Sequence, residues 1–441
     1  MSNRRETVLR AFFEQADFMN ERVQTGIELH RKGWANLTFV DGQGRPVPGV
    51  TVEASQRTHD FHYGANLFML DELESDEKNA EYRRLFADAF NMATVPFYWR
   101  DLEPERGRPR FDKDSPRVYR RPAIDRCLEY CEANGVTPKE HCLVYDFFTP
   151  DWVPRDVDSI KRAYEERFRA LSERYAARIH GWEVINETLA AYHRTPLEDE
   201  PGLVEWAFRL AERYFPNNEL ILNEMHSNVW GPAFHGDRSA YYMLIERALN
   251  KGCRIDSIGM QFHMFSRPET EVEQSRPYYD PRALYAVMDR YADFSLPFQI
   301  TELTIPAHDE DTENEQIQAE IIRLLYSIWF SHPNMEAIMY WNLVDGYAAY
   351  APQGDMTCGE NQYRGGLVRF DFTPKPSYYM VRDLFRKVWH TEAAAVSRED
   401  GRARFKGFYG EYDLTIHAGE KTVTKRIHLT RNGTDTFKIE L

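Results

Sequence analysis

No stretch of this 441-residue chain is apolar for long enough to cross a bilayer, and none gathers lysine and arginine into a block. The first absence excludes a membrane-spanning helix, which needs about 20 consecutive apolar residues. The second argues against nucleic acid or an anionic membrane surface as partner, since both demand clustered cations. The charge balance runs the other way, with 55 Lys and Arg against 70 Asp and Glu, a formal charge of −15. The opening Met1-Ser2-Asn3-Arg4-Arg5-Glu6 leads into mixed polar and apolar residues with no signal-peptide core, so the expected compartment is cytoplasmic. Cysteine is scarce. Cys127, Cys131, Cys142, Cys253 and Cys358 are odd in number and scattered, which reads as buried reduced thiols. No His or Cys pair near them completes a metal-ligand spacing, and neither metal nor cofactor is expected.

What is present is a large apolar and aromatic complement, 42% hydrophobic and 14% aromatic, enough for a sizeable core. The length suits one large domain with an appendage, or two to three ordinary domains. Residues 1–34 read as an N-terminal helical segment, because Val8, Phe12, Phe13, Ala16, Met19, Val23 and Ile27 recur near helical spacing and Gly33 is a stop. Residues 35–58 read as a β-hairpin, with Leu37, Phe39, Val50 and Val52 flanking the turn-forming Asp41-Gly42-Gln43-Gly44. Residues 393–441 alternate strongly and form a β-rich segment too short to bury much core alone. Either the two ends meet in one small β-sandwich with the middle of the chain inserted between them, or they are unrelated strand patches.

Between them, residues 59–392 carry eight candidate strands, near 61–68, 89–95, 138–146, 179–187, 219–224, 256–263, 297–304 and 335–343. Helical patterns separate most of them, for example at 157–177, 202–214, 236–251 and 314–331. The expected fold class is therefore α/β, a (β/α)8 TIM barrel with an N-terminal helix and a small β-rich appendage. A doubly wound sheet would usually carry a glycine-rich phosphate loop after its first strand, and none is present.

Active sites of such barrels lie at the C-terminal ends of the strands. There the third strand delivers His141, Tyr145 and Asp146; the fourth Asn186 and Glu187; the fifth Asn223 and Glu224. The sixth delivers Gln261 and His263, the seventh Glu302, and the eighth Trp341 and Asp345. A lone Glu at a strand end is ordinarily a loop salt-bridge partner, a lone His a satisfied rim group, and Trp341 by default core. Six successive strands with polar ends make a site the better reading. Glu187 and Glu302, on opposite sides of the barrel, suit the paired acids of a glycoside hydrolase. Carboxyls about 5–5.5 Å apart permit double displacement with retention, and roughly 6.5–9.5 Å suits inversion. Trp99, Trp152, Tyr145, Trp341 and Tyr347 offer flat faces on which sugar rings stack.

Trp182-Glu183-Val184-Ile185-Asn186-Glu187 and Ile300-Thr301-Glu302-Leu303 resemble the acid/base and nucleophile motifs of glycoside hydrolase family 10, the endo-β-1,4-xylanase family. His141-Cys142-Leu143-Val144, Gly259-Met260-Gln261-Phe262-His263 and Trp341-Asn342-Leu343-Val344-Asp345 extend the likeness over roughly residues 59–392. The resemblance implies Glu187 as acid/base, Glu302 as nucleophile and Asn186 on the sugar's 2-hydroxyl. It further implies that His263 orients Glu302 while Gln261 and Trp341 line the cleaved sugar's subsite. The departures concern the sugar pocket. Trp99 and Glu103-Pro104 keep register, but Tyr98 stands where the family carries Lys and a Glu-Asn pair is missing. Tyr145-Asp146 replaces a Trp-His pair, while Pro150 and Trp152 still match. The implied activity is retaining hydrolysis of a β-1,4-linked plant-type glycan, xylan or xylo-oligosaccharide first, with a carbohydrate as the expected partner. Alternatives are the same hydrolysis on another glycan and a catalytically weak carbohydrate-binding barrel. A Schiff-base aldolase would need a Lys at a strand end, and none is there.

Overall fold

The computed structural model describes residues 4–231, 238–433 and 435–441 of the chain. Strands β1 (Lys32–Val40) and β2 (Thr51–Gln56) come first, followed by the eight strands of a closed parallel barrel. These are β3 (His62–Asn66), β4 (Met92–Pro96), β5 (Thr137–His141), β6 (Gly181–Asn186), β7 (Glu219–Glu224), β8 (Ser257–Met260), β10 (Phe298–Thr304) and β11 (Met335–Tyr340). A two-residue strand, β9 (Phe262–His263), continues the line of β8 and pairs with β10. Strand β11 closes the ring against both β10 and β3. The expected (β/α)8 barrel is the fold observed.

Local chemistry sets the helices between the strands. Ser75, Asp156, Ser239 and Asp280 each cap a helix by accepting a backbone N–H of its first turn. Pro281 adds a preset φ at the start of the helix Pro281–Tyr291. The helix expected at 236–251 spans Ala240–Asn250, and its first two positions lie outside the described residues. The N-terminal helical segment is three pieces, Arg4–Val8, Arg10–Glu14 and Ala16–His30, and Gly33 lies inside β1 rather than ending a helix. A Cβ at Gly33 would meet the Tyr409 ring at 2.7 Å, so this strand position needs glycine. Among the described residues no helix is long and apolar enough to cross a membrane. All five cysteines are free, four of them buried.

The hairpin expected at 35–58 does not form. Strand β1 lies between β13 (Arg402–Phe408), antiparallel, and β16 (Thr436–Glu440), parallel. Strand β2 pairs instead with β12 (Glu392–Val396) and β14 (Gly410–Ala418), and β14 continues to β15 (Lys421–Leu429). The turn at 41–44 therefore carries the chain from one sheet to another. Inward residues of both sheets, among them Leu37, Phe39, Val52, Phe405, Leu414, Ile427 and Ile439, share one apolar core. By contact density the chain divides into two units. One comprises Met1–Gln15, Tyr63–Leu324 and Asn334–Tyr379 and holds the barrel; the other comprises Ala16–His62, Leu325–Pro333 and Met380–Leu441 and holds these two sheets.

The interior of the barrel is polar in a way a hydrophobic pattern does not announce. Near the strand starts, Gln299 Nε2 donates to Glu219 Oε1 and Glu336 Oε1 at 3.0 Å each, and Ser257 Oγ donates to Glu336 Oε1 at 2.8 Å. Burial, together with the Glu219 charge, pushes the Glu336 carboxyl up to about 8. A carboxyl raised in the fold favours the folded state below its ordinary range and loses that contribution as pH climbs towards 8. Glu336→Gln is accordingly expected to weaken the fall in stability between pH 5 and 8 and to raise the melting temperature at pH 8 by a few degrees. Thermal unfolding followed by circular dichroism across that range checks it; unchanged pH dependence counts against the assignment.

Candidate active site

The geometry of the site starts with strand pleat. Residues two apart share a face, so Lys139 and His141 on β5 both point inward, as do Gln261 and His263. Glu183 and Asn186, three apart, would face opposite ways on a regular strand. The pairing of β6 with β7 slips between Glu183 and Ile185, and this irregularity turns both side chains inward. Strand β10 slips likewise against β11 between Ile300 and Leu303, which lets the consecutive Thr301 and Glu302 both reach interior partners.

Glu183, fully buried, is the hub. Lys139 Nζ donates to its Oε1, and its Oε2 lies 2.5 Å from His141 Nδ1. Burial opposes ionisation of Glu183, but Lys139 and His141 outweigh it and hold the carboxyl at about 2. Burial likewise disfavours the His141 cation, yet the Glu183 charge prevails and raises its pKa. On the far side, His141 Nε2 meets Tyr98 Oη at 2.9 Å. Asn223 Nδ2 links this hub upward, lying 3.3 Å from Glu183 Oε2, 2.8 Å from Asn186 Oδ1 and 3.1 Å from Glu302 Oε1.

Glu302 is 3% exposed. Besides Asn223 it meets His263 Nε2 at 3.1 Å, and His263 Nδ1 meets Thr304 Oγ1 at 2.9 Å. Burial pushes Glu302 up to about 8; the His141 cation opposes this, and the Glu187 carboxylate works with burial. Burial also takes His263 down to about 4, so its ring is neutral at pH 7. Glu187, half-buried, sits just past β6 with φ +52°, a left-handed conformation that costs a non-glycine residue about 1–3 kcal/mol. Tyr145 and Tyr192 hydroxyls both donate to its Oε2 at 2.6 Å, and Gln261 Nε2 donates to Oε1 at 2.8 Å. Gln261 also reaches Asn186 Oδ1 at 3.3 Å.

Glu187, Glu302, Asn186, His141, Tyr145, Gln261, His263 and Trp341 all line one cavity of about 620 Å³, within the size range of small-molecule sites. Asn223 stands beneath it, buried. Three expected site residues are not brought to it. Trp99 is buried, with Nε1 donating to Glu103 Oε2 at 2.9 Å and its ring against Tyr164; Trp152 donates to the Glu103 carbonyl at 2.8 Å and meets Trp99 edge-on. Asp146 accepts from Thr195 N at 2.9 Å and Thr195 Oγ1 at 2.5 Å, which fixes a loop. Among the other polar strand ends, Glu224 accepts the N–H of Leu189 and Met225, and Asp345 pairs with Lys375 at 2.5 Å. The Tyr347 hydroxyl donates to Glu74 and does not line the cavity.

Sequence reasoning passed over Glu183, Lys139, Tyr192, Arg120 and Arg121. The first two sit in strands, and their i, i+2 and cross-strand spacing carried the signal. The others sit on loops, with no periodicity to mark them. His141, Glu183 and Glu302 bring three ligand-type atoms within 4.8 Å of one another, the arrangement a metal would use. Lys139 on Glu183 already supplies positive charge there, so the donor set is that of a buried ion pair.

A family model described as glycosyl hydrolase family 10 matches residues 61–384. The chain belongs to that family. It is a glycoside hydrolase of the endo-1,4-β-xylanase-like kind. It is 23% identical to endo-1,4-beta-xylanase B of Thermotoga neapolitana over 74% of this chain and 88% of that one. It is 24% identical to the anti-sigma-I factor RsgI6 of Acetivibrio thermocellus over 91% of this chain, and spans 46% of that longer protein. The crystal structure of xylanase 10B from Thermotoga petrophila RKU-1 in complex with xylobiose superposes with a TM-score of 0.57 at 22% identity, over 75% of this chain and 95% of that one. The family match and the fold agree on residues 61–384 as the segment that carries the cavity.

Removing one partner of a buried ion pair costs about 3–5 kcal/mol, because the other charge is left uncompensated. Lys139→Met should destabilise the protein by that amount in guanidinium unfolding. A loss under about 1 kcal/mol would mean that Glu183 is held by something other than Lys139.

Proposed function

We propose that the chain hydrolyses a β-1,4-linked, xylan-type glycan with retention of anomeric configuration, using Glu302 as nucleophile and Glu187 as acid/base. The observation that carries this reading is that both carboxyls open into one cavity and are joined beneath it through Gln261, Asn186 and Asn223. The xylanase names of the relatives add to it. In the first step a Glu302 oxygen attacks the anomeric carbon, the glycosidic bond breaks, and the Glu187 proton passes to the leaving oxygen. Water then attacks the glycosyl–Glu302 ester, returning its proton to Glu187 and freeing Glu302. Asn186 hydrogen-bonds the 2-hydroxyl of the bound sugar, His263 orients Glu302, and Trp341 offers its face to the ring.

The protonation requirement is one proton on the pair, carried by Glu187 at the moment of attack. Burial keeps a proton on Glu302 in the free site up to about pH 8. Catalysis therefore needs the tautomer in which that proton has moved to Glu187 and Glu302 is ionised. Asn223 Nδ2–H, and the His263 tautomer with hydrogen on Nε2, are placed to donate to Glu302 in that form. When Glu302 is protonated the other tautomer accepts from it. Above about pH 8 the pair loses the shared proton and no acid remains, so kcat/KM should fall there. A profile flat to pH 10 contradicts this account.

Glu187→Ala should lower kcat by a factor on the order of 10²–10⁴ on xylo-oligosaccharides, and Glu302→Ala by at least as much. Azide added to Glu187→Ala with an aryl β-glycoside should restore turnover and yield a glycosyl azide of retained configuration by NMR. An inverted product sinks the double displacement. Tyr98 at the position of the family's Lys, packed beneath Arg121 at 4.1 Å, supports a second reading in which the same reaction serves a different glycan.

A further inference from the structure

One wall of the cavity holds more positive charge than a neutral sugar needs. Arg100, Arg120 and Arg121 all line it. Arg121 is paired with Asp101 at 2.8 Å, and Arg100 reaches the same carboxylate at 3.7 Å. Arg120 differs from both. It is 5% exposed and forms no ion pair among the described residues. Only its Nη1 is occupied, by Asn342 Oδ1 at 3.1 Å and by the Tyr347 carbonyl, while Nε and Nη2 make no hydrogen bond among the described residues. Glu360, on the same wall, supports the Arg120 charge through space but forms no ion pair with it. Asn342 stands between them, accepting from Arg120 on Oδ1 and donating from Nδ2 to Glu360 Oε2 at 3.3 Å, and Glu360 also accepts from Ala349 N at 3.4 Å.

A buried guanidinium with no carboxylate in direct contact is costly, and its planar fork matches a carboxylate in two-point contact. We propose that Arg120 is a specificity residue that receives the carboxylate of a uronic acid on the bound glycan. The acidic unit then sits on the wall formed by Arg120, Phe68 and Trp341, with Phe68 lying 5.6 Å from the guanidinium and 5.3 Å from the Trp341 ring. Arg121, stacked on Tyr98, adds positive potential beside it. Burial disfavours the charge on Arg120; the Glu360 carboxylate offsets part of that and Arg121 adds to it, and an entering anion supplies the direct compensation. The carboxylate could belong to a branch or to the main chain, and the chemistry of recognition is the same.

This inference rests on reading the cavity as a glycan site, and binding separates the two claims. Glu302→Gln, which cannot turn substrate over, is titrated calorimetrically with three probes: xylotetraose, xylotetraose bearing one glucuronic acid branch, and a linear oligogalacturonide. At least one acidic probe is expected to bind roughly tenfold tighter than xylotetraose. That advantage should vanish in Glu302→Gln/Arg120→Gln and survive in part in Glu302→Gln/Arg120→Lys, with near-UV circular dichroism showing that each variant is folded. A branched probe favoured alone places the acid on a side group; the linear one favoured alone places it in the main chain. Equal affinity for neutral and acidic probes overturns the proposal while leaving the glycosidase reading intact. So does an acidic advantage undiminished in Arg120→Gln. Failure of all three probes to bind overturns both. Tight acidic binding by a wild-type protein that cleaves none of them upholds Arg120 and sinks the hydrolysis.

Discussion

The site depends on a carboxylate that does not itself line the cavity. Glu183 is buried between Lys139 and His141, and its ionisation is what makes three interior charges affordable together. Lys139 and His141 together hold Glu183 ionised against burial, and the Glu183 charge in turn supports the His141 cation. Through Asn223 the same hub reaches Asn186 and Glu302. The Glu187 and Glu302 carboxyls are therefore tied to a buried polar frame in the barrel interior, with Tyr145 and Tyr192 holding Glu187 from the loops above it.

That frame requires the barrel strands to break their own rule. A regular pleat alternates faces and could not send Glu183 and Asn186, or Thr301 and Glu302, to partners on the same side. The slips in β6 and β10 meet that need, and they fall on the two strands that deliver the acids. Local irregularity and the geometry of the site are thus one structural fact. Above the frame the cavity is walled by aromatic rings and by loop residues, including Tyr192 on Glu187 and the arginines at 120 and 121.

How much of this could be read from the chain follows the same division. The barrel strands announced themselves by apolar runs that ended in polar residues, and Glu187, Glu302, Gln261 and His263 were visible because they sat at those ends. Glu183 was hidden because a charge inside an apolar run looks like noise until its partner on the next strand is known, and Lys139 because it stands in the polar run Thr137–His141, where one more charge draws no notice. Trp99 and Trp152 kept their place in the motif but turn their indoles to Glu103, a choice made by one side chain and one carbonyl far from any periodic signal. Arg120 and Tyr192 lie on loops, where position depends on tertiary contacts alone. The hairpin at 35–58 failed for a related reason: alternation marks a strand but not its partner, and the partners lay at the other end of the chain.

Strand β1 takes its neighbours from the last forty residues, with Asn36 opposite Thr436 and Ala35 opposite Phe405. Contacts separated by about 400 positions close slowly and only after the intervening chain exists. On a ribosome the barrel strands, all contained in 62–340, are complete before β13 or β16 has been made. The order of synthesis therefore lets the two-sheet unit assemble only after the barrel strands have been made. Until then, β1 and β2 present unpaired edges, the condition under which a nascent chain most needs protection from its neighbours.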